Sequence, residues 1–301
     1  MDRTACQGTF TAIVTPLGTD GELDPAALRR LIDRQIAAGV DGLVPCGTTG
    51  ESPTLTHEEH DRVIEITVEQ CAAAGRGTIV MAGTGSNATH EALRLTRHAR
   101  DAGAHASLQV VPYYNKPTQE GLYRHFMTLA DESGLPICLY NIPGRSAVKL
   151  ELGTIVRLAR HPQIIAIKEA AGIMDDASQI CLATDLAVLS GDDSMTLPFM
   201  AVGAVGVVSV LSNLVPEQVV QLVCSALQGN LPAAREHHQK LFHLARSLLG
   251  LATNPIPIKA AMALRGLCEP TVRLPLVELD PAAREQLAGL LLTMQIAGPG
   301  R

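Results

Sequence analysis

Short apolar runs alternate with amphipathic stretches at nearly regular intervals along most of this 301-residue chain. This alternation is typical of repeated strand and helix units, in which helices cover a parallel sheet. The chain is 47% hydrophobic, which is enough to bury the large core that such a sheet requires. Eight runs are predicted to be strands: residues 11–15, 42–46, 78–82, 107–111, 137–141, 164–168, 187–190 and 206–210.

Eight strand and helix units that close on themselves form a (β/α)8 barrel, a fold of typically about 250 residues. We therefore predict an α/β protein with a (β/α)8 TIM barrel over residues 1–225. Beyond the last predicted strand, residues 219–228, 232–249, 258–264 and 281–294 have helical patterns with no strand between them. Residues 226–301 are accordingly predicted to form a C-terminal helical extension packed on the barrel.

Charge and cysteine content narrow the range of partners and compartments. The net charge is −6, acids and bases are interspersed, and no block of Lys or Arg is present, which argues against binding to nucleic acid or an anionic membrane. The N-terminus has no signal-peptide pattern, and no apolar run reaches the roughly 18 residues of a membrane span. The seven cysteines are scattered without a CxxC pair, as expected for reduced thiols. We therefore expect a soluble cytoplasmic protein whose partners are small molecules or other proteins.

Lys168 ends one of the predicted buried strands, directly after the apolar residues 164–167. An ammonium group in such a place is poorly hydrated, and desolvation favours the neutral amine. A neutral amine can attack a ketone and form a Schiff base, so Lys168 is a candidate nucleophile. The alternative is that its stem covers apolar surface while its amine stays in water.

In barrels of this kind, catalytic residues lie at the carboxyl ends of the strands. Three of the four tyrosines, Tyr113, Tyr114 and Tyr140, are predicted there, and their phenols can carry protons. The loop GTTGES at residues 47–52 offers N–H groups and hydroxyls to a carboxylate or phosphate, or is an ordinary glycine-rich loop. Arg145 is suited to bidentate binding of a substrate carboxylate, although a solvated loop arginine is the simpler alternative.

Three further motifs carry weaker signals. Residues 83–88, GTGSNA, formally match GxGxxA, but the following strand lacks the acid expected of a dinucleotide-binding fold. His57 and His60 share a helix face without a third metal ligand, which is first interpreted as a surface or interface pair. Asp192 and Asp193 are suited to a divalent cation, although an acidic pair after a strand more often caps the next helix.

Six segments taken together closely resemble the dihydrodipicolinate synthase family. They are GTTGES at 47–52, PYYNKP at 112–117, YNIPGR at 140–145, IKEA at 167–170, SGDD at 190–193 and NPIPIK at 254–259. The resemblance runs in register from about residue 8 to about residue 273. This family belongs to the pyruvate-dependent class I aldolases, which include N-acetylneuraminate lyase, and the resemblance independently implies the same barrel.

The resemblance implies a condensation of pyruvate with L-aspartate 4-semialdehyde to 4-hydroxy-tetrahydrodipicolinate, the first committed step of diaminopimelate and lysine biosynthesis. Lys168 would form the imine with pyruvate, while Thr48 and Thr49 would hold the pyruvate carboxylate. Tyr140 would exchange protons at the imine, Thr48 would pass them on, and Tyr114 would complete the relay from a neighbouring subunit. No metal or organic cofactor is expected, because the protonated imine is itself the electron sink.

The same resemblance implies the remaining substrate contacts. Arg145 would bind the carboxylate of the semialdehyde at the mouth of the barrel. Val208 has the position where a main-chain carbonyl faces the pyruvate site, and Gly191 lies beside that site. A tyrosine shared between subunits requires an oligomer, and the resemblance implies a homotetramer built as a dimer of dimers.

A lysine-binding pocket at the tight dimer interface is also implied, and it replaces the first interpretation of the two histidines. Feedback inhibition by L-lysine is expected, with Glu91 as an acceptor for the cationic amino acid. Pro53 stands where the family usually has a small residue. The residues of this pocket are Ser52, Pro53, His57, His60, Asn87, Glu91 and Tyr113.

Other functions stay open on the sequence alone. A pyruvate-dependent lyase that acts on a 2-keto-3-deoxy-sugar acid or on N-acetylneuraminate would share Lys168 and Tyr140. The Thr48-Thr49 pair, Tyr114 and Arg145 favour instead the small semialdehyde with its carboxylate. A non-catalytic barrel, or a nicotinamide-dependent oxidoreductase that uses residues 83–88, is the alternative from a different class.

Overall fold

The computed structural model describes residues 1–296 and contains a closed barrel of eight parallel strands, which confirms the predicted fold. Each strand pairs with the next along the chain, and the last strand pairs with the first, from Gly8 with Gly206 to Thr11 with Ser209. The strands are β1 (Gly8–Thr11), β2 (Gly42–Leu43), β3 (Ile79–Gly83), β4 (Ala106–Val110), β5 (Ile137–Asn141), β6 (Ile164–Glu169), β7 (Ala187–Ser190) and β8 (Gly206–Ser209).

The first two strands differ from their predicted positions. The prediction of residues 11–15 as the first strand is wrong, because β1 ends at Thr11 and the amide of Val14 donates to the side chain of Asn213 (3.1 Å). β2 stops at Leu43, earlier than predicted, because Pro45 has no amide hydrogen for the ladder and Cys46 has a φ of +54°. In both cases a side-chain contact or the backbone conformation ends the pairing between strands, although the apolar run continues.

Helices connect the strands on the outside of the barrel. The first two substantial helices begin as predicted: Asp24 accepts from the amide of Ala27, and Thr56 forms a capping box with Glu59. The helices are α1 (Pro25–Ala38), α2 (His57–Ala74), α3 (Thr89–Asp101), α4 (Gln119–Glu132), α5 (Pro143–Ser146), α6 (Leu152–Leu158), α7 (Met174–Ala183), α8 (Thr196–Ala201), α9 (Pro216–Leu227), α10 (Leu231–Leu251), α11 (Ile256–Leu264) and α12 (Pro281–Thr293). Within residues 1–296, none of these helices combines the length and the apolar character that a membrane crossing requires.

The interior of the barrel is filled by side chains from alternate positions of the strands. Phe10, Met81 and Leu189 belong to this buried cluster, together with Tyr140 of β5. Alternate residues of a strand point to opposite faces, so the remaining strand residues pack outward against the helices. The barrel is therefore a packed core, and only its mouth is free for chemistry.

The helices after β8 follow the prediction of a helical C-terminal region. α9 packs against α1 and both closing strands, and α10 packs along α9. We keep the division of the chain into residues 1–225 and 226–301 as a proposal, since α9 itself runs on to Leu227. The segment between α10 and α11 returns to the mouth of the barrel, where it contacts the loop after β2.

A buried ion pair joins this C-terminal region to the loop after β2. The amine of Lys259 on α11 lies 2.5 Å from a carboxylate oxygen of Glu51, and both side chains are at most 1% exposed. Lys259 also donates to the carbonyl of Thr271 (2.6 Å), and the amide of Arg273 donates to the other oxygen of Glu51 (3.1 Å). Burial lowers the pKa of Lys259, and Glu51 opposes this shift. Removing one member would leave an uncompensated buried charge.

Substitution of Lys259 by methionine is expected to lower the free energy of unfolding by about 3–5 kcal/mol, because the carboxylate of Glu51 would stay buried without its partner. The double variant E51Q/K259M should lose less, since it removes both charges. Urea denaturation monitored by circular dichroism measures these differences. The matched control is Lys240→Met, whose exposed pair with Glu236 (2.7 Å) should contribute little to stability. Wild-type stability in K259M would contradict the assignment.

Candidate active site

Lys168 and Tyr140 are direct neighbours inside the mouth of the barrel. β5 and β6 pair in parallel with these two residues opposite each other, so both side chains point to the interior. The amine of Lys168 lies 4.1 Å from the centre of the Tyr140 ring, and each residue is only 5% exposed. No carboxylate in residues 1–296 lies within salt-bridge distance of this amine. A buried amine without an ion-pair partner matches the prediction made for Lys168.

Gly191 follows β7 beside this lysine. A β-carbon at Gly191 would lie 3.1 Å from Cε of Lys168 and 2.5 Å from the β-carbon of Ala170. Its amide donates to the carbonyl of Glu169 (2.8 Å), which holds the turn against the end of β6. The absence of a side chain at this position therefore leaves room for the stem of Lys168.

A cavity of about 190 Å³ opens above Lys168 and Tyr140. It is lined by six of the residues predicted from the sequence, namely Lys168, Tyr140, Thr48, Thr49, Arg145 and Gly191. A second cavity of about 230 Å³ adjoins it, and the two share Thr48, Tyr140 and Arg145. Residues that are distant in sequence thus converge on one concave site, as expected for the mouth of a barrel.

The loop after β2 is held firmly at the wall of this cavity. Thr49 is 2% exposed, and its hydroxyl accepts a hydrogen bond from the amide side chain of Asn254 (2.9 Å). The hydroxyl of Thr15 donates to the carbonyl of Gly50 (2.7 Å), and a β-carbon at Gly50 would lie 3.0 Å from the amide nitrogen of Cys46. With the buried ion pair of Glu51, these contacts immobilise the loop that carries Thr48 and Thr49.

Arg145 lies on the short helix α5 and is exposed to solvent at the cavity. Its Nη2 donates to the carbonyl of Asn254 (3.1 Å) and to the hydroxyl of Thr253 (3.3 Å). It forms no salt bridge with any residue in the range 1–296. Neutral acceptors therefore orient the guanidinium, and its positive charge stays available to an anion in the cavity.

Val208 lies deeper than the other predicted residues. It belongs to β8, pairs in register with Phe10, and is 1% exposed in the barrel interior. On this side the cavity is lined by the following residues Val210 and Leu211. The role predicted for the Val208 carbonyl stays a prediction.

Tyr114 is not brought to Lys168 within one chain. It is 88% exposed, lines neither cavity, and has a φ of +73°. The loop that presents it is held by the side chain of Asn115, which donates to the carbonyl of Asn87 (2.8 Å). The side chain is thus directed away from the chain that carries it, and a second chain is needed if it is to reach a cavity of this kind.

The residues predicted to bind lysine lie around the second cavity and on the adjoining surface. Ser52, Pro53 and Tyr113 line that cavity, and burial raises the pKa of Tyr113. His57 lies 3.0 Å from a carboxylate oxygen of Glu91 at the surface. The set is therefore contiguous on the face formed by α2, α3 and the loop after β4.

The pKa values of two of these residues, Glu91 and His60, are lowered by their surroundings. A hydrogen bond from Ser86, supported by one from His57, keeps the pKa of Glu91 below its ordinary value, which favours the carboxylate. His60 is 3% exposed and donates through Nε2 to the carbonyl of Gly83 (2.8 Å), and burial lowers its pKa. The first interpretation of His60 as a surface residue is therefore wrong, because α2 turns it toward β3.

Asp192 and Asp193 are both engaged in local structure. Asp192 caps a 3-10 turn by accepting from the amide of Ser194 (2.8 Å), which confirms the expected capping role. Asp193 is half-buried and accepts from the amides of Val210 (2.9 Å) and Leu211 (3.0 Å), and desolvation raises its pKa. It thereby fastens the loop after β8 to the end of β7.

Close packing explains the two glycines of the GTGSNA segment. A β-carbon at Gly83 would overlap the carbonyl of Cys46, and one at Gly85 would overlap the amide of Val110. These glycines therefore let neighbouring loops approach each other at the mouth of a closed barrel. The geometry offers no support for the dinucleotide-binding interpretation, which requires an open sheet.

The contacts of Asn254 and the ion pair of Lys259 were not predicted from the sequence. Lys259 lies within the apolar run of α11, which is the kind of signal that identified Lys168. Its partner Glu51 is 208 positions away along the chain, and no local pattern indicates which acid it meets. Asn254 belonged to the motif NPIPIK, but a motif alone does not state which atoms it contacts.

The chain is similar to known proteins over nearly its whole length. The model of the Dihydrodipicolinate synthetase family matches residues 5–294. The 4-hydroxy-tetrahydrodipicolinate synthase of Geotalea daltonii is 48% identical over 287 residues, which cover 95% of this chain and 97% of that protein. The crystal structure of dihydrodipicolinate synthase from Aquifex aeolicus has a TM-score of 0.93 at 47% identity, with coverage of 96% of this chain and 98% of that chain.

A second crystal structure adds a ligand. The dihydrodipicolinate synthase from Acinetobacter baumannii, solved in complex with pyruvate, has a TM-score of 0.93 at 40% identity and covers 97% of this chain and 99% of its own. Both the family match and the identity extend over nearly the whole chain, including every residue that lines the cavity. The chain belongs to the dihydrodipicolinate synthase family.

Proposed function

We propose that Lys168 is the Schiff-base nucleophile of this enzyme, a lyase that condenses pyruvate with L-aspartate 4-semialdehyde to 4-hydroxy-tetrahydrodipicolinate. This reaction is the first committed step of diaminopimelate and lysine biosynthesis. The observation that carries the assignment is the buried amine of Lys168, 4.1 Å from the Tyr140 ring, at the base of a cavity at the mouth of the barrel. The amine is buried and has no carboxylate within salt-bridge distance among residues 1–296, which supports this role.

Pyruvate binds between Lys168 and the loop after β2. Its carboxylate is held by the hydroxyls and backbone amides of Thr48 and Thr49, which are preorganised donors on an immobilised loop. The amine attacks the keto carbon, water leaves, and an imine forms. Loss of a methyl proton then gives an enamine, because the protonated imine accepts the electron pair of the broken C–H bond. Gly191 leaves space for this adduct, and the main-chain carbonyl of Val208 faces it.

Tyr140 transfers protons at the imine. Its ring stacks against the amine of Lys168, and a phenol can both donate and accept a proton. Thr48 lines both cavities and passes the proton onward. Tyr114 of the partner subunit completes the relay through the second cavity, since the Tyr114 of the same chain points outward.

The enamine then adds to the aldehyde of the second substrate. Arg145 binds the carboxylate of that substrate at the entrance, where its charge is not neutralised by a carboxylate of residues 1–296. The amine of the semialdehyde attacks the imine carbon, displaces Lys168 and closes the ring. The overall reaction releases one water and restores the free lysine.

Borohydride trapping tests the nucleophile. With pyruvate present, reduction should leave a stable adduct on Lys168 that peptide mass spectrometry locates. Lys168→Ala should lose the adduct and at least about 10³-fold in kcat, because no other group supplies the imine. Arg145→Ala is the control, and it should keep the adduct while its KM for the semialdehyde rises. An adduct on another lysine would contradict the assignment.

We also propose a homotetramer built as a dimer of dimers, as the family resemblance implies, in which each site receives Tyr114 from the neighbouring chain of its dimer. The support is the 88% exposure of Tyr114 together with its left-handed backbone, which a rigid loop holds outward.

Subunit mixing tests the shared tyrosine. Lys168→Ala and Tyr114→Phe should each be nearly inactive, yet dissociation and reassociation of their mixture should restore about a quarter of the wild-type activity. Half of the dimers would be mixed, and in each of these one site would combine an intact Lys168 with an intact Tyr114. If Tyr114 served its own chain, no mixed site would be intact and the activity would stay at the level of the separate variants.

L-lysine is proposed as a feedback inhibitor that binds beside the second cavity. Glu91 is kept as a carboxylate by Ser86 and His57, which suits it to accept the ammonium group of an amino acid. Ser52, Pro53 and Tyr113 lie between this position and the second cavity, so a ligand there contacts the elements that carry the proton relay. Binding that differs between active and inactive arrangements would then change the rate.

Glu91→Gln is expected to raise the concentration of L-lysine for half-inhibition by about tenfold or more, because a charged hydrogen-bonding partner is lost. The initial rate at fixed substrates measures this concentration. Glu58→Gln, an exposed acid on the first turn of α2, is the matched control and should leave inhibition unchanged. Unchanged wild-type activity in millimolar L-lysine would reject the proposal.

A cytoplasmic location is proposed on the basis of the thiols. All seven cysteines lie within residues 1–296 as free thiols, and Cys6, Cys46, Cys71 and Cys138 are buried. Free buried thiols are typical of proteins that work in a reducing compartment.

A further inference from the structure

Asn254 contacts two candidate substrate-binding residues from opposite sides of the cavity. It lies in the segment between α10 and α11, and it lines the cavity above Lys168. Its side-chain amide donates to the hydroxyl of Thr49 (2.9 Å), and its main-chain carbonyl accepts from Nη2 of Arg145 (3.1 Å). We propose that Asn254 is a positioning residue that couples the pyruvate-binding loop to the guanidinium that selects the second substrate.

The contact with Thr49 sets the direction of the hydroxyl hydrogen. A threonine hydroxyl has one hydrogen to donate and two lone pairs that accept. Because Thr49 accepts from Asn254, its own hydrogen is free to donate to a carboxylate in the cavity. An amide turned the other way would take that hydrogen and leave only lone pairs toward the anion. Asn254 therefore turns Thr49 into a donor for the carboxylate of pyruvate.

The contact with Arg145 acts on the second substrate. A guanidinium on an exposed loop samples many rotamers, and ordering it costs about 1–2 kcal/mol of side-chain entropy. The carbonyl of Asn254 and the hydroxyl of Thr253 restrict this motion in advance. Both acceptors are neutral, so the charge that attracts the semialdehyde carboxylate is retained.

The backbone of Asn254 is itself fixed to the loop that it orients. Lys259, in the helix that follows, forms the buried ion pair with Glu51, two positions beyond Thr49. Within the same segment, the amide of Ile256 donates to the carbonyl of Thr253 (3.0 Å). The segment and the helix that follows it thus contact the loop at two points, through Asn254 and Lys259, and form a rigid support for both binding residues. This inference depends on the roles proposed above for Thr49 and Arg145.

A double-mutant cycle tests the coupling to pyruvate. Thr49→Val should raise the KM for pyruvate by about tenfold or more, and Asn254→Ala by about three- to tenfold, with smaller changes in kcat. In the double variant the KM should equal that of Thr49→Val alone, since Asn254 acts through the Thr49 hydroxyl. If the two effects multiply instead, or if Asn254→Ala has the wild-type KM, the proposal is overturned.

The isosteric variant Asn254→Asp guards against a loss of folding, which thermal melting monitors in each protein. Its carboxylate would capture the Thr49 hydrogen and oppose the incoming anion, so the KM for pyruvate should exceed that of Asn254→Ala. A wild-type value in Asn254→Asp would also overturn the proposal. An unaltered KM for pyruvate in Thr49→Val would instead contradict the proposed role of Thr49 itself, and with it the coupling to Asn254.

Thr253→Val is the matched control that tests the contact with Arg145. It removes an acceptor of Arg145 and touches no group of the pyruvate-binding loop, so it should raise the KM for the semialdehyde about two- to threefold and leave the KM for pyruvate unchanged. Parallel increases of both KM values in Thr253→Val would indicate a general disturbance of the segment and would contradict separate contacts to the two substrates.

Discussion

Closure of the sheet between β1 and β8 is the constraint on which the site depends. A closed parallel barrel brings the carboxyl ends of all its strands to one mouth, so residues far apart in the chain converge there. The register between β5 and β6 then sets Tyr140 beside Lys168, and strand alternation turns both inward. The apolar interior lies below them, and the amine of Lys168 is buried against the ring of Tyr140.

The barrel strands and the C-terminal helices have different tasks in this site. The strands position Lys168 and Tyr140, the proposed nucleophile and proton carrier, whereas the segment around α11 contacts the loop after β2 and Arg145. Asn254 and Lys259 reach the loop after β2 through one hydrogen bond and one buried ion pair. The C-terminal region is therefore part of the site, although it supplies neither the nucleophile nor the proton carrier.

Much of the fold and of the site was predictable because the signals are local. Apolar periodicity predicted eight strands, and its position at the end of a buried apolar run made Lys168 a candidate nucleophile. The first strand was misplaced because residues 12–14 stay apolar and buried beyond the end of β1, so periodicity could not show where pairing stopped. The pair of Glu51 with Lys259 was missed because it joins positions 208 apart, and charge type alone does not specify such a partner.

The sequence by itself determined which residues are candidates for the chemistry, since residue type, strand-end position and joint motifs can be read along the chain. Only the tertiary structure decided how they meet: Tyr140 beside Lys168, Thr49 turned by Asn254, and Tyr114 directed away from its own chain. The physical reason is that register, rotamer and hydrogen-bond direction depend on contacts between distant segments. Those contacts exist only after the barrel has closed and the C-terminal segment has returned to its mouth.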